Sequence, residues 1–342
     1  MQVLFLFCYK YFTYMNIVKL KKLTLALIIV ICFSFISIFN VSAEGIKYYI
    51  GGNVFGFNIN TEGVLVVGIN DVITDSGIIS PCERAGIMEG DVLLAFNEKA
   101  VNSPSDVATF MNSYETGEIV TKLLHNGKTK LVDITPAKDL TGKFRLGVYL
   151  RDDLSGLGTV TYYTSDGSFA SLGHAVTDGN GTTYNVIGGE VYNSTIVGVN
   201  KAEKGKAGEL KGMIINTKSI GCIERNSCVG LYGKIDKFNV KNQIEVEIGK
   251  AKPGGAEIYS TVDGISPKYY SIDIVKADYI TGTNKNFVIK ITDKELLKTT
   301  GGILQGMSGS PILQNGKLVG AVTHVFLNDS SRGYGIAIQN MI

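Results

Sequence analysis

The glycine-rich string at residues 306–311 contains the residues best suited to covalent chemistry. It reads GMSGSP, and the pair Asn315-Gly316 follows it between two apolar runs. Such a pair predicts a β-hairpin, so Ser308 lies in a loop that enters a hairpin, whereas a helix would follow in an α/β-hydrolase. The flanking glycines let the backbone N–H groups of Gly306 and Ser308 converge on one oxygen. We therefore predict Ser308 as a nucleophile for acyl transfer, with Gly306 and Ser308 as oxyanion donors. The alternative is a tight Gly/Ser turn.

The three histidines of the chain are the candidates for the general base, which a serine needs because its hydroxyl is a weak nucleophile near neutral pH. His125 lies beside a predicted hairpin turn and is expected to be a solvated loop residue. His174 follows the strand-like run 158–164, early in the second predicted domain. His324 follows the apolar run 319–323 and is expected to line the substrate groove. We predict His174 as the base, with His324 as its rival.

The residue that orients the base should be a carboxylate, which selects the imidazole tautomer and stabilises the charged ring. Asp293 precedes Ser308 by 15 residues. Three other carboxylates compete with it: Asp178, Asp273 and Asp278. The run Lys294–Lys298 also predicts a short helix, for which Asp293 would be the N-cap. Residue types and spacing leave these alternatives open.

The charge balance and the cysteine pattern exclude several classes of function. The 342 residues include 33 Lys+Arg and 31 Asp+Glu, a net charge of +2 without charge blocks, which disfavours nucleic-acid binding. Neither an HExxH nor a CxxC motif is present, and the histidines are far apart in sequence, so we expect no metal and no other cofactor. Cys222 and Cys228 could form a disulfide in an oxidising compartment, and two free thiols are the alternative.

The N-terminal segment has the parts of an export signal. Residues 23–41 contain no charged residue, three lysines precede them, and Val41-Ser42-Ala43 supplies small residues at the end. This order is typical of a secretory signal peptide, and the 19 residues are also long enough for an uncleaved membrane anchor. We predict that residues 1–43 form a signal peptide or membrane anchor. Residues 1–14 are not needed for it, and Met15 is an alternative start of translation. Everything after residue 43 is expected outside the cytosol.

The remainder of the chain divides into two predicted domains near the polar break at residues 136–139. The first domain, residues 44–137, contains the string AGIMEGDVLLAFN at 85–97, which resembles the PDZ family. The resemblance implies an α/β module that captures an extended peptide, either a peptide terminus or part of the same protein, as an added strand. The loop that would present backbone N–H groups to it is Gly56-Phe57-Asn58-Ile59. The alternative is a PDZ-like fold used only for docking.

The second domain, residues 138–342, is expected to be rich in β-strands, since many of the 41 glycines of the chain separate short runs of β-forming residues. GMSGSP is similar to the nucleophile loop of chymotrypsin-like serine peptidases, which implies a double β-barrel. The order of a leader, a PDZ-like module, LGHAVTD at 172–178 and the final GMSGSP hairpin resembles the stage IV sporulation protein B (SpoIVB) peptidases. High-temperature-requirement proteases have the two modules in reverse order. The fold is thus expected to be mainly β, with a PDZ-like α/β module followed by a chymotrypsin-like double barrel.

The resemblance to SpoIVB peptidases implies roles for residues and a place of action. Carried over to this sequence, His174 is the base, Asp293 the orienting carboxylate and Ser308 the nucleophile. The family implies a self-cleaving serine endopeptidase, secreted from the forespore into the space between the two spore membranes. It would cut the extracytoplasmic part of a regulatory membrane protein and so trigger activation of the late mother-cell sigma factor. The alternatives are a catalytically silent PDZ scaffold and an envelope quality-control protease.

Overall fold

The computed structural model describes residues 45–177, 183 and 186–342. Residues 47–342 form one compact unit. The predicted leader, residues 1–43, lies outside the described residues. Across the described ranges, no helix has both the length and the apolar composition needed to cross a membrane.

Strands dominate the described residues, which confirms the mainly β fold. The first part of the chain forms β1 (Tyr48–Ile50), β2 (Val54–Ile69), β3 (Val72–Thr74), β4 (Gly77–Ile79), α1 (Pro81–Arg84), β5 (Val92–Phe96), β6 (Lys99–Ala100), α2 (Pro104–Asn112), β7 (Ile119–His125), β8 (Lys128–Ile134), β9 (Ala137–Lys138) and β10 (Phe144–Arg145). The middle part forms β11 (Val148–Thr164), β12 (Ser168–Ser171), β13 (Val186–Asn200), β14 (Glu209–Ile214), β15 (Gly221–Ser227), β16 (Gly230–Ile235) and β17 (Glu245–Val246). The last part forms β18 (Gly254–Ser260), β19 (Lys268–Ala277), β20 (Phe287–Ile291), α3 (Lys294–Thr300), β21 (Pro311–Gln314), β22 (Lys317–Phe326) and β23 (Asp329–Ala337).

Six antiparallel strands close a first barrel in the order β2, β11, β12, β16, β15 and β13. The N-terminal half of β2 is central to it, because that half pairs with β11 on one side and with β13 on the other. Phe55, Phe57 and Ile59 alternate along β2 and are buried in the same apolar cluster as Leu231, as expected for side chains two residues apart on a strand. The first barrel therefore depends on residues close to the N-terminal end of the compact unit.

An α/β module is inserted between two paired strands of this barrel. It comprises β3 to β10 with α1 and α2, and it lies in sequence between β2 and β11, which are neighbours in the barrel. Its core includes Phe96 and Val107, which cluster with Val66 of β2. As the Ser103-Pro104 pair predicts, α2 begins there, and the Ser103 hydroxyl accepts a hydrogen bond from the Asp106 N–H at 3.0 Å. We call this segment the inserted module; its PDZ identity stays a prediction.

The inserted module interrupts the first barrel, so the module and the barrel do not follow one another along the chain as the sequence predicts. We expected the barrels to begin at residue 138, after a complete first domain of residues 44–137. Instead, β1 and the N-terminal half of β2 are strands of the sheet that contains the first barrel. Pairings such as Phe57 with Gly156 join residues about a hundred positions apart, and no local sequence pattern reveals such a pairing. The predicted boundary at residue 137 falls in β9, which pairs with β10 of the same module.

The predicted peptide-binding loop, Gly56 to Ile59, is a barrel strand in the structure. Each of its residues is aligned with a partner on both neighbouring strands, for example Phe57 with Gly156 and with Val191. Strand addition needs an edge with unpaired N–H and C=O groups. Neither edge of this part of β2 is open, so the prediction that these four residues bind a peptide is corrected.

The second barrel is formed by β18, β19, β20, β23, β22 and β21, which close in that order. The hairpin predicted from Asn315-Gly316 is confirmed, because β21 and β22 pair on either side of it. Asn315 has φ 53° and Gly316 has φ 74°, and a two-residue hairpin loop with both φ angles positive matches the right-handed twist of its strands. Together the two barrels confirm the predicted double-barrel architecture.

Cys222 and Cys228 do not form the disulfide that the sequence allowed; both are free and exposed. Cys222 is near the start of β15, and Cys228 follows its last residue. Six residues of extended strand span roughly 20 Å, whereas a disulfide needs Cα atoms about 4.4–6.8 Å apart. The alternative of two free thiols is correct.

Candidate active site

The loop that contains Ser308 begins where α3 ends. Gly301 ends this helix in the left-handed conformation, with φ 73°, and the chain then passes through buried Met307 to the serine. Gly309, next to Ser308, has φ 93°, and a Cβ atom there would lie 2.0 Å from the Thr159 carbonyl oxygen. Only glycine fits this close approach without displacing the backbone. The local sequence thus sets how closely the serine loop approaches the first barrel.

Two threonines on β11 hold the serine loop against the first barrel. The Thr159 hydroxyl donates to the Gly306 carbonyl at 2.8 Å, and the Thr161 hydroxyl donates to the Gly309 carbonyl at 2.8 Å. The Thr159 N–H also donates to the Ser308 carbonyl at 3.1 Å. Ser308 therefore lies where the two barrels meet, and its position is determined by both.

The backbone N–H groups of Gly306 and Ser308 are available to a ligand. Within the part of the chain that the structure describes, neither N–H donates a hydrogen bond to a protein acceptor. Their carbonyl groups, in contrast, accept hydrogen bonds from Thr159. Unpaired N–H groups beside a nucleophile are the groups that stabilise an oxyanion.

His174 reaches the same region from the end of β12. Leu172 and Gly173, which precede it, both have left-handed φ angles, 65° and 68°, and they turn the chain sharply after the strand. Gly173 packs so closely on β22 that an added Cβ atom would lie 2.8 Å from Thr323 Cγ2. These two residues set the position at which the imidazole enters the site.

The hydrogen bond of the His174 ring defines its tautomer. Nδ1 lies 2.8 Å from the Ala175 carbonyl oxygen, and because a carbonyl can only accept, Nδ1 carries the proton and donates it. In the neutral ring Nε2 then has a free lone pair. Burial lowers the pKa of His174, and the bond to Ala175 opposes that shift. The ring is therefore neutral near pH 7, in the form that a general base requires.

A cleft of about 620 Å³ brings these groups together. Its lining includes Ser308, Gly306, His174, His324 and Thr323. Leu157 and Leu304 contribute apolar surface to the same cleft. The structure thus brings together the predicted nucleophile, the predicted base, its rival and the predicted oxyanion loop.

His324 is the nearest titratable neighbour of His174 in this cleft. The two ring centroids are 5.0 Å apart. Burial, together with the charges of His174 and Lys285, lowers the pKa of His324 to about 4, so His324 is neutral near pH 7. Its Nδ1 atom is buried and has no hydrogen-bond partner among the described residues. His125, in contrast, belongs to the inserted module, where its Nδ1 lies 2.6 Å from Asp91 Oδ1.

The Ser308 hydroxyl donates to the Thr323 carbonyl at 2.8 Å. It is therefore not bonded to either histidine in this structure. The bonds between a nucleophile and its base are often long or absent before substrate binds.

Asp293 is not among the residues that line the cleft. One carboxylate oxygen accepts from the Leu296 N–H at 2.8 Å, and the other from the Ser271 N–H at 3.4 Å. This is the N-cap arrangement that the sequence also allowed. In this structure Asp293 caps α3; its role as the carboxylate that orients the base stays a prediction.

Neither Asp273 nor Asp278, two of the other candidate carboxylates, is among the residues that line the cleft. Asp273 lies on β19, and Asp278 forms an ion pair with Lys276 at 2.5 Å. Asp178 lies outside the described residues. The described lining of the cleft includes no Asp or Glu.

Sequence reasoning missed four groups that bond to the serine loop, to the Ser308 hydroxyl or to the His174 ring. These are Thr159, Thr161, the Ala175 carbonyl and the Thr323 carbonyl. Thr159 and Thr161 are two positions apart on a strand and so point the same way, which was the one available signal. The contacts themselves join residues up to 148 positions apart, and these contacts appear only once the barrels are formed.

Two β-barrels with a serine and a histidine in the cleft between them define the class of chymotrypsin-like serine peptidases. The family model described as SpoIVB peptidase S55 matches residues 142–342, which is more than half of the chain. The chain therefore belongs to the SpoIVB peptidase family, a family of sporulation serine peptidases, and is a serine endopeptidase. The search of curated proteins finds no match.

Proposed function

We propose that Ser308 is the nucleophile and His174 the general base of this peptidase. The observation that supports the proposal most strongly is the shared cleft, in which a neutral His174 with a free Nε2 and the unpaired N–H groups of Gly306 and Ser308 line one space. All three requirements of acyl transfer are thus present: a nucleophile, a base and oxyanion donors.

The reaction begins when the Ser308 hydroxyl leaves the Thr323 carbonyl and donates to Nε2 of His174. Ser308 Oγ attacks the peptide carbonyl carbon while Nε2 takes the hydroxyl proton. The N–H groups of Gly306 and Ser308 stabilise the resulting oxyanion. His174 then gives the proton to the leaving amine, and the C–N bond breaks to leave an acyl-enzyme. Water, activated by His174, attacks this ester and releases the second product.

We further propose that the substrate is the extracytoplasmic part of a regulatory membrane protein, and that the enzyme also cleaves itself. Membership of the SpoIVB peptidase family supports a role in sporulation. The predicted signal or anchor at residues 1–43 supports export to the space between the forespore membranes. In this setting, cleavage would trigger activation of the late mother-cell sigma factor.

A second cavity supports peptide binding by the inserted module. This cavity of about 620 Å³ is lined by Val107 and Met111 of α2 and by Phe144, Leu146 and Val148 of the segment that leads from β10 into β11. A groove between a helix and an extended segment suits an extended peptide. We propose this groove, in place of residues 56–59, as the site for a peptide terminus or a self segment.

Self-cleavage tests the proposed catalytic roles. The parent chain and the variants Ser308→Ala, His174→Ala and Ser310→Ala are each produced at full length in the presence of membranes, and their fragments are compared. Ser310 is the matched control because its buried hydroxyl donates to Ser260 Oγ at 2.8 Å, away from the cleft lining. We expect defined fragments from the parent and from Ser310→Ala, and none from the other two. Equal fragmentation of Ser308→Ala and the parent would show that another protease makes the cuts.

A further inference from the structure

A third cavity lies at the end of the first barrel where β2 begins and where β11 and β16 end. Its volume is about 690 Å³, and its lining includes Val54 of β2, Tyr163 of β11, Ile235 of β16 and several residues of the segment 237–243. It has no lining residue in common with the cleft that contains Ser308. Pockets for small ligands have volumes of about 300–1,000 Å³, so this cavity is large enough to be a separate binding site.

Two buried hydroxyl groups in the lining of this cavity have no hydrogen-bond partner. Ser194 is 5% exposed, and its Oγ atom is buried without a partner among the described residues. Tyr163 is 8% exposed, and burial alone raises the pKa of its hydroxyl, which shares no hydrogen bond with any described residue. Buried polar groups are nearly always paired, because an unpaired one costs free energy. A ligand in the cavity would supply the missing partners.

The polar part of the lining is almost entirely neutral. Lys237, whose side chain is exposed, is the single charged residue in the described lining. Six carboxamide side chains line the same space: Asn53, Asn193, Asn216, Asn239, Asn242 and Gln243. The oxygens of Asn216 and Asn239 already accept backbone N–H groups nearby, but their NH₂ groups remain as donors. Because carboxamides both donate and accept, the lining suits a neutral ligand whose own groups do the same.

Aromatic rings give the cavity an apolar face beside these amides. The rings of Tyr163 and Phe238 have centroids 4.9 Å apart and planes inclined by 32°. The C–H face of a sugar ring packs well on such rings, while its hydroxyl groups need donors and acceptors. An extended peptide would need an unpaired strand edge. At Phe55, Tyr163 and Val191, however, the strands that line the cavity are paired on both sides.

We propose that this cavity binds a neutral saccharide built from N-acetylated amino sugars. The acetamido group of such a sugar presents an N–H and a C=O to the carboxamides of the lining, and a methyl group to the apolar side chains of Ile215 and Ile265. The sugar ring packs on Tyr163 and Phe238, and its hydroxyls pair with the buried hydroxyls of the lining. The proposal does not depend on the catalytic roles of Ser308 and His174.

Titration of the full chain with the disaccharide N,N′-diacetylchitobiose, followed by saturation-transfer NMR, tests the proposal. We expect saturable binding at one site at concentrations below about 10 mM. Ser194→Ala and Tyr163→Phe each remove one hydroxyl, and each should weaken binding by about 3- to 10-fold, the effect of one neutral hydrogen bond. Neither change should lower the midpoint of thermal unfolding, because the hydroxyl that is lost has no protein partner.

Two matched variants separate the loss of a ligand contact from a general loss of structure. The Tyr162 hydroxyl donates to the Met341 carbonyl at 2.8 Å, and the Ser171 hydroxyl donates to the Leu231 carbonyl at 2.9 Å. Both residues belong to the first barrel, and neither lines the cavity. Tyr162→Phe and Ser171→Ala should therefore lower the midpoint of thermal unfolding and leave the affinity for the disaccharide unchanged.

Three results would overturn the proposal. The first is no saturable binding by the parent up to about 10 mM disaccharide. The second is equal affinity in the parent, Ser194→Ala and Tyr163→Phe; if Ser194→Ala does not fold, Tyr163→Phe decides alone. The third is loss of binding in Ser308→Ala, which would locate the sugar in the catalytic cleft. Failure of the parent to label with a fluorophosphonate would instead contradict the catalytic account and leave the saccharide site unaffected.

Discussion

Thr159 and Thr161 place the nucleophile by bonding to the carbonyls on either side of it. This geometry needs Gly309, whose missing side chain lets the loop approach the Thr159 carbonyl. The catalytic serine thus depends on a residue with no functional group. At the scale of single residues, the space left by glycine is as important as the hydroxyl itself.

We predict that Gly309→Ala abolishes labelling of Ser308 by a fluorophosphonate. Its Cβ would lie 2.0 Å from the Thr159 oxygen and 2.4 Å from the Leu172 nitrogen, so the loop must move away from β11. Gly316→Ala is the control, because Gly316 also has a positive φ, 74°, but an added Cβ atom there would have no heavy atom of the described residues within 4 Å. The control should cost about 1–2 kcal/mol of stability and keep full labelling. Equal labelling of the two variants would contradict this account of the loop.

The lowered pKa of His324 predicts a specific dependence of stability on pH. The unfolded chain binds a proton at His324 below about pH 6.5, whereas the folded protein binds it only near pH 4. Between these values the unfolded state holds more protons, so the free energy of unfolding falls as pH is lowered from 6.5 to 4. His324→Gln should flatten this part of the curve, as measured by thermal unfolding at several pH values. An unchanged slope would show that His324 is not buried as a neutral ring.

At the scale of elements, β2 joins the two parts of the chain that the sequence separates. Its N-terminal half pairs within the first barrel, and Val64 and Leu65, further along, pair with β5 of the inserted module. The family model begins at residue 142, after β2 has ended. The matched region therefore does not contain all the strands of the first barrel.

This arrangement predicts opposite results for two deletions. Residues 142–342 alone lack β1 and β2, so the first barrel should stay open, and the fragment should neither fold nor label with a fluorophosphonate. Residues 61–152 can instead be replaced by the dipeptide Asn-Gly. Asn60 and Asp153 are aligned neighbours on β2 and β11, so a two-residue turn can join them, and Asn-Gly favours such a turn. That variant should keep labelling at Ser308. A folded, labelled 142–342 fragment would contradict the role of β2.

At the scale of the whole molecule, the sequence predicted the parts that depend on local chemistry. The Asn315-Gly316 turn predicted a hairpin because few residues adopt positive φ angles, and Ser103-Pro104 predicted a helix start for a similarly local reason. The GMSGSP string and the histidine count led to Ser308 and His174, which the structure places in one cleft. The turn and the helix start are controlled by interactions within a few residues, whereas the meeting of Ser308 and His174 depends on contacts between the two barrels.

The predictions that failed depended on contacts between distant residues. Gly56 to Ile59 resembled a loop because their two partner strands, β11 and β13, are far away in sequence. The resemblance assigns Asp293 to the orienting role, which stays a prediction, while the bonds of Asp293 to Leu296 and Ser271 make it the cap of α3.

The most direct test of the catalytic account is fluorophosphonate labelling of the full chain in the parent, Ser308→Ala and Ser310→Ala. Fluorophosphonates react with an activated serine, and Ser310 is fully buried and bonded to Ser260. The account predicts labelling of the parent and of Ser310→Ala, with the probe recovered on the peptide that contains Ser308, and no labelling of Ser308→Ala. Labelling of Ser308→Ala at the parent level would contradict the assignment of the nucleophile.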